Sequence, residues 1–434
     1  MQRTGERQLG PWMTTAFVVG GMIGAGIFML PASLAPYGRN APIAWVVSGL
    51  GAVALAFALS SLARRSGGGH GMQAHVEAAL GPTFGFLAGF SFWVSVWVSN
   101  AAVGITGASA LARIVPALSG ETSILLVAAG FILFLAIVNA LGAVVSGRFA
   151  VATTLIKLTP LVGVLVLAGA FTAEGQPMAP LAVMPVTFDN IAGACAIALF
   201  ALLGFETALA PVDKIRNPQR TIPLAMIGGT AFVATLYLLT TSAIAGLVPA
   251  EQLVESKAPF ADALVLGLGG LGVAIAVLGM AVSAFGYING GILISGELGL
   301  AMALRGDLPA SMTRTRGAGT PVVAQLVASG LALLLIAANA SKGTVGLFTF
   351  SVLLTTSASL WMYVLCAIAA WRMTSSIGSK AVIFAGIAFV ALAFYGSGWE
   401  ANAWSIVLLL AGLAVRWIIR SRGGSSPEVA ETRA

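Results

Sequence analysis

The chain has 434 residues, 58% of them hydrophobic and only 9% charged, with a mean hydropathy of +0.98. Soluble globular proteins carry about a quarter charged residues, so that class is excluded. Apolar runs of about 20 residues recur from end to end, each able to cross about 30 Å of hydrocarbon at about 1.5 Å per residue, which makes the chain an all-α integral membrane protein within a lipid bilayer. The net charge of +7 does not indicate nucleic acid, because the basic residues sit in the connections between apolar runs. Cys195 and Cys366 lie inside such runs and supply neither a disulfide framework nor metal-ligand spacing, so no metal or cofactor is expected.

Twelve spans are predicted: 12–36, 41–63, 83–112, 122–141, 148–171, 189–211, 222–248, 267–303, 321–338, 347–371, 380–397 and 401–419. The first is long, broken by glycines and followed at once by another, which is not the layout of a cleavable signal. Loop charge tests the count. With the N-terminus cytoplasmic, seventeen of the twenty-two basic residues fall inside, and only Arg39, Arg113, Lys257 and Lys342 fall outside. That bias predicts a multi-pass protein with both termini cytoplasmic. The polar end, 421–434, reads as a disordered tail.

The first span contains Gly20, Gly21, Gly24 and Gly26 within seven residues. Each costs roughly 1 kcal/mol in a helix interior relative to alanine, so the run reads as a helix built to break. Its freed backbone groups are tolerable in a membrane only where they line a cavity. A second break is expected at Leu203 and Gly204 of the sixth span, beside Glu206, since glycine-interrupted segments at corresponding places in two halves mark a midplane transport site. Close helix packing through Gly20-x-x-x-Gly24 is the alternative. The N–H groups around Ala25, Gly26 and Ile27 suit a carboxylate, and the carbonyls around Ile23 and from Phe200 to Leu203 suit an ammonium group. Together they fit a free α-amino acid.

Lys157 lies nine residues past Arg148, roughly 13 Å into the bilayer at 1.5 Å per residue. A charge at that depth costs on the order of 3 kcal/mol, so the side chain is expected to face the bundle interior. There it could release its proton during a transport cycle or replace a bound sodium ion; a stem snorkelling to the cytoplasmic interface is the alternative. Glu206 is the acidic counterpart, as a proton relay, a gate or a hydrogen-bonded strut. Asn100 could line the same cavity or bond a neighbouring helix. Glu297 is expected to pair with a basic loop residue, and His70 and His75, in the polar loop after the second span, to take solvated or interfacial positions rather than act as proton relays.

The segments Gly21–Pro31, Gly204-Phe205-Glu206, Lys214–Pro223 and Glu297–Pro309 resemble the amino acid–polyamine–organocation (APC) transporters over essentially the whole chain. Within that superfamily they are similar to the basic amino acid/polyamine antiporter group, that of the bacterial arginine/agmatine antiporter. The resemblance implies a LeuT-type fold with discontinuous helices 1 and 6: repeat one over 12–171, repeat two over 189–371, and two further helices over 380–419. Trp97-x-x-Asn100 and Gly204-x-Glu206 resemble that group's substrate asparagine and gating glutamate. Two positions depart from it, since tryptophans there correspond to Phe200 and Gly291 here, and without indoles stacking on a guanidinium is weaker. Lys157 instead resembles the fifth-span lysine of proton-coupled amino acid permeases and of heteromeric exchanger light subunits, where it takes the sodium position; residues 283–290 resemble the latter too, making Ser283 a partner for Lys157. No cysteine lies in 114–121, so no disulfide-linked heavy subunit is expected, while a homodimer is compatible with the resemblance.

The expected function is therefore that of a secondary active amino acid transporter of the cell inner membrane, working by alternating access and either proton-coupled or exchanging. An amino acid/decarboxylated-amine antiporter is the alternative. A non-transporting amino acid receptor would be expected to carry a soluble signalling domain, and a pore a continuous polar lining. No nucleophile–base pair suggests an enzyme.

Overall fold

A computed structural model describes residues 10–65, 71–141, 147–206, 215, 217–317 and 319–421. The tail, apart from Ser421, and His70 lie outside them. The described chain is helical: α1 (Pro11–Met22), α2 (Leu30–Leu34), α3 (Asn40–Arg65), α4 (Gly71–Leu80), α5 (Pro82–Ile114), α6 (Glu121–Ala140), α7 (Gly147–Ala173), α8 (Phe188–Leu202), α9 (Pro218–Leu247), α10 (Ala250–Glu255), α11 (Pro259–Leu304), α12 (Val322–Ala338), α13 (Gly343–Met373), α14 (Ile377–Gly396) and α15 (Gly398–Ser421). Among the described residues, nine of these are long and apolar enough to cross a membrane, and α8 and α12 are shorter apolar helices.

Several boundaries differ from the sequence expectation for local reasons. The first span is not one helix: α1 stops at Met22, Ile23 and Gly24 leave helical geometry, and the chain resumes as a 3₁₀ turn, Ala25–Phe28, before α2. The sixth span ends as helix at Leu202, where Leu203 turns extended and Gly204 takes φ +114°; residues 207–211 of that expected span lie outside the described ones. The eighth is preceded by further helix: α11 is two helical segments joined at a kink, and the break at Gly269 (φ 53°, ψ −137°), a geometry glycine tolerates, falls close to the expected start at 267. The stretch after the second span is not simply a polar loop, since 71–80 form α4 and His75 is buried on it. Val76 beside it is also buried, so α4 has an apolar face that docks on α5 and α13.

The apolar windows of α5 and α13 are the most enclosed by protein, whereas those of α14 and α15 are mostly uncovered. The bundle is thus centred on α5, with α11 and α13 against it, while α3 joins α8 and α9. At the end of α11, Asp307 is buried and accepts from Arg416 Nε at 2.7 Å and Arg420 at 2.9 Å, while Arg416 also donates to Pro82 O at 3.2 Å. Arg416 lies 4.9 Å over the Phe86 ring. One buried carboxylate thereby ties α15 to α11 and to the start of α5.

Candidate functional site

The two breaks meet. A Cβ on Gly204 would stand 2.9 Å from Gly21 O and 3.2 Å from Met22 Cα, so glycine is required there by both φ and proximity. Glycine is also what lets two rings close on the first break. Phe200 Cε1 sits 2.2 Å from where a Cβ on Gly26 would be, and Tyr287 Cδ2 sits 2.9 Å from the corresponding point on Gly24. Phe200 in turn meets Phe348 of α13 edge to face, with centroids 6.5 Å apart. Tyr287 is fixed from the other side by a hydrogen bond of 3.1 Å between its hydroxyl and that of Ser99.

The backbone groups freed by the breaks are partly accounted for. Met22 O accepts from Gly24 N–H at 2.7 Å and from the buried Tyr237 hydroxyl at 3.1 Å, and Phe200 O accepts from Leu203 N–H at 3.3 Å. The N–H groups of Ala25 and Gly26 open the 3₁₀ turn and have no acceptor within it. A short helical start with outward N–H groups is the geometry that receives an anion. Glu206 does not hang free: its Oε2 accepts from Gly204 N–H at 3.1 Å and from the Tyr363 hydroxyl at 3.0 Å, and Tyr363 stacks on Phe205 at 5.4 Å. The carboxylate therefore clasps the second break to α13.

Lys157 is 7% exposed and points inward, with Nζ 3.8 Å from the Cβ position of Gly286 on α11. It makes no hydrogen bond or ion pair to a described residue. The expected bond to Ser283 is not made: Ser283 Oγ is buried without a partner among the described residues, one turn from Gly286 on the same helix. Asn100 and Gly291 do meet. A Cβ at 291 would lie 2.2 Å from Asn100 Oδ1, so in this packing the carboxamide occupies the room a larger side chain at 291 would need. Asn100 Oδ1 and, one turn earlier, Trp97 Nε1 are buried and unpartnered among the described residues. Glu297 is exposed, and Arg305 pairs with Glu77 of α4 instead.

Sequence reasoning passed over Tyr237, Tyr287 and Tyr363, all three of which hold the breaks. Their signal was available: the chain has only five tyrosines, four of them inside apolar spans, where a phenol needs a partner. It also passed over α13, whose face bearing Phe348 carries the buried hydroxyls of Thr344, Ser351 and Thr355, unpartnered among the described residues. A Ser/Thr-rich stretch within an apolar span was the sign.

A family model described as amino acid permease matches residues 9–423. The putrescine transporter PotE of Escherichia coli (strain K12) is 27% identical over 443 residues, covering 97% of this chain and 98% of its own. PotE of Haemophilus influenzae is 29% identical over 333 residues, 76% of each chain. The cadaverine/lysine antiporter of Escherichia coli (strain K12) is 26% identical over 342 residues, 78% of this chain and 77% of its own. Matched over nearly its whole length, the chain belongs to the amino acid permease family, multi-pass membrane transporters and not enzymes.

Proposed function

We propose that the protein is a secondary active transporter of the cell inner membrane that moves an amino acid or its amine by alternating access, with twelve spans in a LeuT-type 5+5 arrangement plus two helices and both termini cytoplasmic. Repeat one would cover 12–171 and repeat two 189–371. The observation that carries this reading is the contact of the two breaks, Gly204 against Gly21 and Met22, with rings closing over Gly24 and Gly26. An amino acid's carboxylate would take the N–H groups of Ala25 and Gly26, with Ile27 completing the turn, and its ammonium the carbonyls near Ile23 and Leu203. Phe200 would cover the substrate, and Asn100, beside Gly291, would face its side chain. Lys157 would couple or stabilise the state with Ser283 nearby, and Glu206, held by Tyr363, would gate.

Exchange is the second reading, favoured by the antiporter named among the relatives. Uptake into proteoliposomes tests both. Accumulation of a labelled amino acid or amine over protein-free vesicles is expected, and its absence across both substrate classes would refute transport. Acceleration by trans-substrate without a pH gradient indicates exchange, whereas a strict need for an imposed gradient indicates proton coupling.

A further inference from the structure

Resting on that reading, we propose that the site selects a zwitterionic amino acid with an uncharged side chain and rejects diamines, although the relatives named above include transporters of putrescine and cadaverine. The ground is the charge balance around the breaks. Of the described carboxylates only Glu206 and Asp307 are buried. Asp307 is held by two arginines at the end of α11, away from the breaks. Glu206 has its Oε2 engaged by Gly204 N–H and by Tyr363. Against this single anion stands the unpaired ammonium of Lys157, beside Gly286, whose neighbour Tyr287 covers Gly24.

One buried anion and one buried cation leave the site with no net charge to offer. A zwitterion adds none, and its carboxylate and ammonium meet backbone N–H and C=O groups of opposite partial charge. A diamine adds two positive charges and meets at the breaks only the Glu206 carboxylate, which the Lys157 ammonium already balances, so its desolvation is uncompensated. Aromatic faces can substitute for an anion, since a cation is attracted to a ring face, best to tryptophan. Here the two rings at the first break, Phe200 and Tyr287, each press an edge atom against a glycine, Gly26 and Gly24, and position 291 is closed to an aromatic by Asn100. A lone carboxamide oxygen is a dipole and not a counter-ion.

The test uses the full-length protein in proteoliposomes, with labelled alanine, leucine, methionine, putrescine and cadaverine. At least one of the three amino acids should enter saturably, and each diamine should compete with it roughly 100-fold more weakly or worse. Lys157→Gln, which removes the opposing cation, should narrow that gap by about tenfold. The wild-type comparison decides the proposal even where the variant is inactive. A diamine carried as well as or better than the amino acids overturns the proposal and leaves the transporter reading standing. If none of the five is carried, the proposal falls, and the transporter reading falls with it when a broader set of amino acids and amines is also refused.

Discussion

Adding a single methyl group at the first break, Gly26→Ala, should disable the protein through Phe200. The new Cβ would lie 2.2 Å from Phe200 Cε1, 3.1 Å from Cζ and 3.2 Å from Cδ1. Ordinary contact begins near 3.4 Å, so the ring must retreat by more than about 1 Å, and Phe348 stands behind it. Overpacking of this kind costs about 1–3 kcal/mol. If the cost falls on the packed arrangement alone, its population drops by roughly 5- to 150-fold relative to arrangements in which the ring has moved. Two assays read this: initial uptake into proteoliposomes and thermal unfolding of the purified protein. Phe200→Ala alone opens a cavity and destabilises by about 3–5 kcal/mol. The double variant should be less damaged than the two single losses added together, with a coupling of about 0.5–3 kcal/mol. Single losses that add without coupling, or a Gly26→Ala protein with unchanged uptake and unfolding, would refute the contact as the reason for glycine at 26.

Three further outcomes are expected. Lys157→Ala should abolish proton coupling or net transport while leaving the protein folded, because an inward ammonium at that depth is retained at a cost; an unchanged rate and pH profile in reconstituted protein would count against it. Asp307→Asn leaves Arg416 buried without its anion, a loss of about 3–5 kcal/mol, and should lower the midpoint of thermal unfolding by on the order of 10 °C; a shift within error of wild type would show that the clamp contributes nothing. His75, outside the candidate spans, is buried on α4, and desolvation holds its imidazole below the ordinary value of 6.5. Its neutral form is therefore the folded one, so this stability is fully present above about pH 6.5 and is lost as pH falls from there through the folded value. The drop in unfolding temperature between pH 7 and pH 5 should shrink in His75→Gln, and an identical drop would remove His75 as its source.

What could be read from residue order was whatever depends on local sums. Apolar length gave the membrane class and most spans, because crossing hydrocarbon requires about 20 consecutive apolar residues whatever their neighbours are. Glycine spacing located both breaks to within a residue or two, since only there does the chain surrender helix-forming side chains for backbone freedom. Tertiary structure decided everything that depends on which helix face meets which: Phe200 on Gly26, Tyr287 on Gly24, Asn100 on Gly291, Tyr237 on the Met22 carbonyl, and Arg416 on Asp307. It also separated Lys157 from the hydroxyl of Ser283 and buried His75, which sequence alone had left solvated or interfacial. Hydropathy is the same on every side of a span that is apolar all round, so it carries no information on rotation about the helix axis. Rotation is what brings residues 100 or more positions apart into contact, and the two glycine breaks become one candidate site only when it sets Gly204 against Gly21.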